Sequence, residues 1–355
     1  MSDYPMLISN KLHSFRNFMV TNLHKIHGIC VSLSNNVPFA MITNPPVKIN
    51  LGLNVINRRA DGFHDIQTLF YPANQIHDTL EIISGDDYSR TSAKLAGLYG
   101  DLAKITDLSA PENVEDSADD DFIPTLAQGI SGNGKLMITV ARKEGVDWPV
   151  MKDLCAKAYM MLDEEYGLPP VKIYLEKTSP VGAGLGGGSA DAAFTLKMLS
   201  EMFGLGLSDD RLAEYASRLG SDCAFFIYNR PMFGEGRGEV LSGCELGVKI
   251  AEPGEETDGE AYELQIVVPE EIHVSTAEAY KGIVPAMPQI SIRDVLKRPV
   301  GEWKELLVND FEKTVFDKHP ELAKIKASLY ESGAAYASMS GSGSALFALY
   351  RKDEI

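Results

Sequence analysis

The chain is 355 residues long, with 45% hydrophobic residues and a formal net charge of −17. That length exceeds one typical domain and the apolar content suffices for two cores, so two domains are expected. The strong negative charge argues against a general nucleic-acid or anionic-membrane surface, and no apolar run approaches the roughly 18 residues that a transmembrane helix needs.

Residues 1–43 hold Lys11, Arg16 and Lys25 against the single acid Asp3. An acid-poor, amphipathic start fits an organelle transit peptide. The plainer expectation is an extension outside the fold, disordered or upstream of a true start near Met41. Val47, Ile49, Leu51, Leu53 and Val55 then alternate as one face of a strand, which sets Lys48 and Asn50 side by side on the other. An ammonium and an amide so placed can address one ligand; a solvated strand face fits the same spacing. Arg58 to His64 reads as a hairpin turn around Asp61-Gly62. Beside the turn, the Phe63 ring can stack on a nucleobase and the His64 imidazole can meet a base edge. A turn aromatic over a core and a surface histidine are the ordinary alternatives.

Residues 86–128 carry ten acids against Arg90, Lys94 and Lys104 and read as a mobile acidic insertion. The run from Glu115 to Asp121 has the composition of a cation site, though such runs are usually solvated. Leu154, Ala158, Met161 and Leu162 mark a helix that ends at Gly167. Val171, Ile173 and Leu175 alternate with Lys172, Tyr174 and Glu176 as a half-buried strand. The four cysteines, Cys30, Cys155, Cys223 and Cys244, have neither CxxC nor metal-ligand spacing, which fits reduced thiols in a cytoplasmic protein.

Pro180 to Ala190 has five glycines in eleven residues and no charged side chain. Glycine reaches positive φ cheaply and lets a ligand approach the backbone, so consecutive N–H groups can converge on an anion. Ala192, Ala193, Leu196, Leu199 and Phe203 follow at helical spacing, delivering the loop to a helix N-terminus. A Walker A loop would need a lysine before Ser189, and a dinucleotide fingerprint would need a second parallel strand after the helix; Gly204 to Gly206 lead into another helix instead. Ser208 caps that helix, which carries Leu212, Tyr215, Ala216 and Leu219 and stops at Gly220.

Asp222 stands just ahead of Cys223-Ala224-Phe225-Phe226, where an acid is costly unless it is paired, useful or a helix cap. Gly234 to Glu239 is a glycine-rich turn and 252–260 a polar surface loop. Leu264 to Val268 is the strand expected to open the second domain, and Ser275 with Glu278 forms a capping box. Helices are expected at 303–317 and from Pro320 to Glu331, the latter stopped by Gly333. Ser338 to Ser344 joins two apolar strands by a tight turn or a second anion nest.

The stretch from Pro180 to Ala193, Pro-Val-Gly-Ala-Gly-Leu-Gly-Gly-Gly-Ser-Ala-Asp-Ala-Ala, resembles the ATP loop of the GHMP kinase superfamily, and the likeness runs from about Asn44 to Tyr350. The resemblance implies an α+β fold in two domains. Residues 44–245 would be an N-terminal ATP-binding domain with a mixed sheet and helices, like ribosomal S5 domain 2. Residues 246–355 would be a ferredoxin-like antiparallel sheet with helices. Pro180, Val181, Gly182, Ala183, Gly184, Leu185, Gly186, Gly187, Gly188, Ser189 and Ala190 would cradle ATP, with Ser189 a ligand of Mg²⁺.

Lys48-Ile49-Asn50 matches the superfamily's Lys-x-Asn at the substrate alcohol, with Val47 where alanine is commoner. Gly220-Ser221-Asp222 with Phe225-Phe226 matches the motif whose aspartate is the catalytic base, with Ala224 in place of proline. Lys48 and Asp222 are therefore the implied catalytic pair. Asp61-Gly62-Phe63-His64 is similar to the Asp-Gly-Tyr-His that clamps cytosine, one hydroxyl short. Thr276 matches a substrate-touching threonine, which leaves Asn50, Phe63, His64 and Thr276 as implied substrate contacts. The implied activity is ATP-dependent phosphorylation of a small alcohol, and the base clamp points to a cytidine diphosphate methylerythritol as that alcohol. A homoserine- or mevalonate-type kinase would share the loop, Lys48 and Asp222 without the clamp; a nucleotide sensor would need the loop alone. Neither nucleic acid nor membrane is an expected partner.

Overall fold

In the computed structural model, the described residues are 39–85 and 123–352. Of the expected extension over 1–43 and insertion over 86–128, residues 1–38 and 86–122 lie outside them. Two boundaries of those readings change. Ala40–Thr43 is a strand, β1, and not part of an extension, because Met41 packs against the first core while the strand pairs antiparallel with a later one. At the other boundary, Leu126–Ile130 is also a strand, so the insertion stops short of 128; the preceding run of acids masked an uncharged stretch whose Ala127 is buried.

Three sheets form. The first has the order β1-β4-β7-β6-β5, where β4 is Thr79–Ser84, β5 Leu126–Ile130, β6 Leu136–Arg142 and β7 Val171–Lys177. It is mixed, since β6 and β7 run parallel and the other pairs antiparallel. Helices α1 (Leu154–Tyr166), α2 (Gly187–Met202), α3 (Asp209–Leu219) and α4 (Cys223–Tyr228) cover it, and residues such as Ile138, Leu175, Leu196 and Phe225 make the first core. The second sheet, whose first strand and hairpin were expected but not its separation from the mixed sheet, is antiparallel: β2 (Pro46–Arg58), β3 (His64–His77), β8 (Met232–Glu235) and β9 (Val240–Gly243). The third has the order β10-β11-β13-β12, from Lys249–Ala251, Ala261–Val267, Leu346–Arg351 and Tyr336–Met339. It was expected to be antiparallel throughout, but β10 and β11 run parallel, joined by the polar loop between them.

The second sheet and the third share their cores. Val47, Ile49, Leu51 and Leu69 pack with Leu264, Phe347, Leu349 and Trp303. The apolar face of β2 does not stay in one core. A register shift between Leu51 and Leu53, with Gly52 at φ 73°, sends Leu53 and Val55 into another core with Phe311, Val315 and Met339.

The short helices of the C-terminal part are α5 (Thr276–Tyr280), α6 (Ile292–Val295), α7 (Trp303–Leu306), α8 (Phe311–Lys318) and α9 (Pro320–Glu331). The single helix expected at 303–317 is thus two. The apolar spacing of Trp303, Leu307, Phe311 and Val315 runs straight across the break, but the backbone there bonds to β2 instead: Leu53 N–H donates to Val308 O and Asp310 N–H to Leu53 O. Tertiary pairing overrides a helical pattern here.

Candidate functional site

Lys48 lies on β2 and is 3% exposed, which rejects the solvated-face alternative. An ammonium has three donors. One donates to Asn50 Oδ1 at 2.5 Å and one to Gly184 O in the glycine loop at 2.8 Å. The Asp222 carboxylate is 3.6 Å from the same Nζ. Asn50 Nδ2 donates in turn to Thr68 Oγ1 at 2.9 Å, so the amide is held between Thr68 and Lys48 and orients the ammonium. Burial lowers the Lys48 pKa, and Asp222 offsets part of that fall.

Asp222 occupies the N-cap position of α4 yet its side chain makes no capping hydrogen bond, and it is about one-third exposed (32%). The carboxylate is therefore not consumed as a cap. It points to the exposed side of a buried cation, an arrangement suited to taking a proton from a hydroxyl beside a positive charge.

The glycine loop runs from β7 into α2. Gly182, Gly184 and Gly186 have φ of 74°, 77° and 74°. A Cβ on Gly184 would come to 2.2 Å from Ser340 O, whereas one on Gly182 or Gly188 would meet nothing within 4 Å. The loop is thus tightly seated on one side and open on the other, a concavity of backbone fit for an anion. Its seat is the second small-residue turn: Ser340 Oγ donates to Gly184 O at 3.0 Å, and Gly341 lies against Gly184 and the Lys48 ammonium. Thr276, at the start of α5, is 3.4 Å from Ser342 in that turn. Ser275 caps α5 by accepting from Glu278 N–H, as its capping motif implies.

The hairpin residues part company. Phe63 is 54% exposed with the Arg237 guanidinium 5.1 Å over its ring, while His64 stacks on Tyr280, centroids 4.6 Å apart at 19°. Burial raises the pKa of Tyr280, and the negative charge of Asp222 adds to this.

The chain matches the family model for the GHMP kinases N terminal domain over residues 153–230 and that for the GHMP kinases C terminal domain over 291–355. It is 43% identical over 314 residues to 4-diphosphocytidyl-2-C-methyl-D-erythritol kinase of Bacteroides thetaiotaomicron, covering 88% of this chain and 93% of that one. The chain belongs to the GHMP kinases. The enzyme of the same description from Parabacteroides distasonis is 40% identical, with coverages of 88% and 92%. A crystal structure of 4-(cytidine 5'-diphospho)-2C-methyl-D-erythritol kinase superposes with a TM-score of 0.60 at 26% identity, over 87% of this chain and 90% of that one. A homoserine kinase from Cytophaga hutchinsonii, at 14% identity and a TM-score of 0.52, shares the fold alone. Like the rest of the GHMP kinases, the chain is an ATP-dependent phosphotransferase with two family domains.

Three features of this GHMP kinase escaped the sequence reading. Lys177, at the end of β7, is buried between Asp78 and Asp191, which lie 99 and 14 residues away in sequence. Asn309, 2% exposed in the helix break, donates from Nδ2 to Met339 O at 2.8 Å and Gly341 O at 2.9 Å and so holds the second turn. Tyr280 sits in the motif that singled out Thr276, and an aromatic at the end of a short capped helix was the available signal. Among the described residues no helix is long and apolar enough to cross a membrane, and no group of three or more His, Cys, Asp or Glu is placed to hold a metal ion.

Proposed function

We propose that the chain phosphorylates the 2-hydroxyl of 4-diphosphocytidyl-2-C-methyl-D-erythritol with ATP, the kinase step of the non-mevalonate isoprenoid pathway. The substrate assignment draws on the relative at 43% identity over 88% of the chain. The observation that carries the chemistry is the buried Lys48 ammonium 3.6 Å from an Asp222 carboxylate that caps nothing.

In this reading Asp222 accepts the hydroxyl proton and Lys48 stabilises the negative charge that grows on that oxygen. Asn50, expected to touch the substrate, is 1% exposed with its amide engaged by Lys48 and Thr68, so in this reading it acts through Lys48 by holding the ammonium. The loop from Pro180 to Ala190 binds the nucleotide phosphates with backbone N–H groups, and the empty space beside Gly182 and Gly188 fits that role. Bound ATP would supply the phosphoryl group, and Mg²⁺ would neutralise its charge. A magnesium ion would be held chiefly by phosphates and water, with the Ser189 hydroxyl, in the first turn of α2, as the protein oxygen that would join them. Phe63 offers an exposed ring face to the cytosine, His64 its edge, and Thr276 a hydroxyl to the substrate.

A coupled assay of ADP release across the cytidyl-methylerythritol, homoserine and mevalonate substrates tests the proposal. Turnover confined to the first is expected. Preference for either of the others would sink the assignment and leave only a small-alcohol kinase.

A further inference from the structure

The glycine loop begins and ends on one buried cluster. Asp78 lies between β3 and β4 and is fully buried. Its Oδ1 accepts the backbone N–H groups of Thr178 and Ser179, both at 2.7 Å, and its Oδ2 accepts the Ser179 hydroxyl at 2.6 Å. These two residues are the first of the segment that leads into the loop. Asp191 lies one turn into α2, directly after the last residue of the loop, and is 1% exposed. Lys177 joins the two: its ammonium donates to Asp78 Oδ2, to Ser179 Oγ at 3.1 Å and to Asp191 Oδ2 at 2.6 Å. Gly187, where α2 starts, packs so closely on this cluster that a Cβ would come to 2.1 Å from Ser179 Oγ.

We propose that Lys177, Asp78, Asp191 and Ser179 are positioning residues for ATP: a buried clamp that ties the loop's first residues to its helix and fixes the spacing of the N–H groups that meet the phosphates. The inference rests on the reading of the loop as the ATP site.

The charges agree with a rigid clamp. Two carboxylates and one ammonium in a dry site leave one negative charge in excess if all are ionised, which is costly. Burial pushes the Asp191 carboxyl well above its usual range, with Lys177 opposing, and its Oδ1 has no hydrogen-bond partner. Asp78 is pushed up by burial, but Lys177 and Ser179 outweigh this and hold it below its usual range. Of the two acids, Asp191 is the one whose charged form the site disfavours, and Asp78 is the one that Lys177 holds ionised. Asparagine at 191 reproduces the neutral form, and methionine at 177 destroys the clamp.

Binding of a non-hydrolysable β,γ-imido ATP analogue with Mg²⁺, measured by calorimetry on the full chain, tests this beside the KM of the alcohol substrate. Lys177→Met should bind the analogue about tenfold or more weakly with the alcohol KM little changed, the size expected when a charge-assisted hydrogen bond is lost. Adding Asp191→Asn to Lys177→Met should restore part of the loss. Ser179→Ala removes only a hydroxyl, so it should fold and weaken analogue binding about threefold. Unchanged affinity in Ser179→Ala and in the double variant overturns the clamp. So does an equal loss for nucleotide and alcohol, which marks a merely structural cluster. Gly188→Val is the control on the underlying reading: its Cβ has open space, so the protein should fold, and undiminished nucleotide binding there would overturn the ATP loop itself.

Discussion

Two lysines, Lys48 and Lys177, are buried to almost the same degree, 3% and 5% exposed, and each touches the surroundings of the same loop. Their environments differ in the counter-charge. Lys48 has an amide, a carbonyl and one partly exposed carboxylate 3.6 Å away, and burial wins: its pKa falls. Lys177 meets the same desolvation, but Asp191 and Asp78 outweigh it and its pKa rises. Burial alone therefore does not say what a charged group is for. The number of opposing charges and their access to a ligand do. Asp222 beside Lys48 can still meet a substrate; neither carboxylate beside Lys177 can.

The largest test is at the open pair. Asp222→Asn keeps the shape and loses the base, so kcat should fall by about 10²- to 10⁴-fold with nucleotide binding retained. Lys48→Met should act in the same direction, and the double variant should lose less than the sum because both act on one hydroxyl. Since Asp222 makes no capping bond, the melting temperature of Asp222→Asn should hardly move. Near-normal turnover would break the contrast outright.

Next comes stability. Lys177→Met strands two buried acids and should cost about 3 to 5 kcal/mol in urea unfolding. Lys48→Met leaves only a one-third exposed carboxylate and should cost clearly less. Equal losses would mean that the two cations do the same work.

Glu81 gives a reference, a buried acid whose pKa burial raises to about 7 with no cation to oppose it. A raised carboxylate contributes stability below its unfolded value of about 4.5, and this is lost as pH rises through 7. Glu81→Gln should thus be more stable than the unaltered protein at pH 8 by about 3 kcal/mol and gain nothing near pH 4. Parallel stability curves for the two proteins would count against it.

The smallest effect lies away from every buried charge. Phe63→Ala should weaken the cytidyl substrate by about 1 to 3 kcal/mol, seen in its KM and not in that of ATP. A rise in both would make the ring structural.

The glycine loop, its flanking strand and helix, the hairpin at Asp61-Gly62 and the capped helices were legible because each is written in local spacing. Lys48 and Asp222 were legible as candidates, but their 3.6 Å meeting joins residues 174 positions apart and no periodicity encodes that. The Lys177 clamp was hidden for the same reason, and because Lys177 reads in sequence as the end of an ordinary strand. The false single helix at 303–317 arose where a helical apolar pattern persists while the backbone bonds to β2. Ala40–Thr43 and Leu126–Ile130 were missed because short edge strands carry too few residues to show a period beside charge-biased neighbours.

The burial of Lys48 also bears on the order in which the chain is made. Its three partners come from residues 50, 184 and 222, and the turn that closes over it is at 340–341 and is held by Asn309. The strand that carries Lys48 leaves the ribosome almost 300 residues before its cover. Until then the cation and the apolar face of β2 have no complete shelter, so the site can close only once residue 341 has been made. A nascent chain stopped short of residue 340 is expected to lack the finished site however much of the first sheet has already formed.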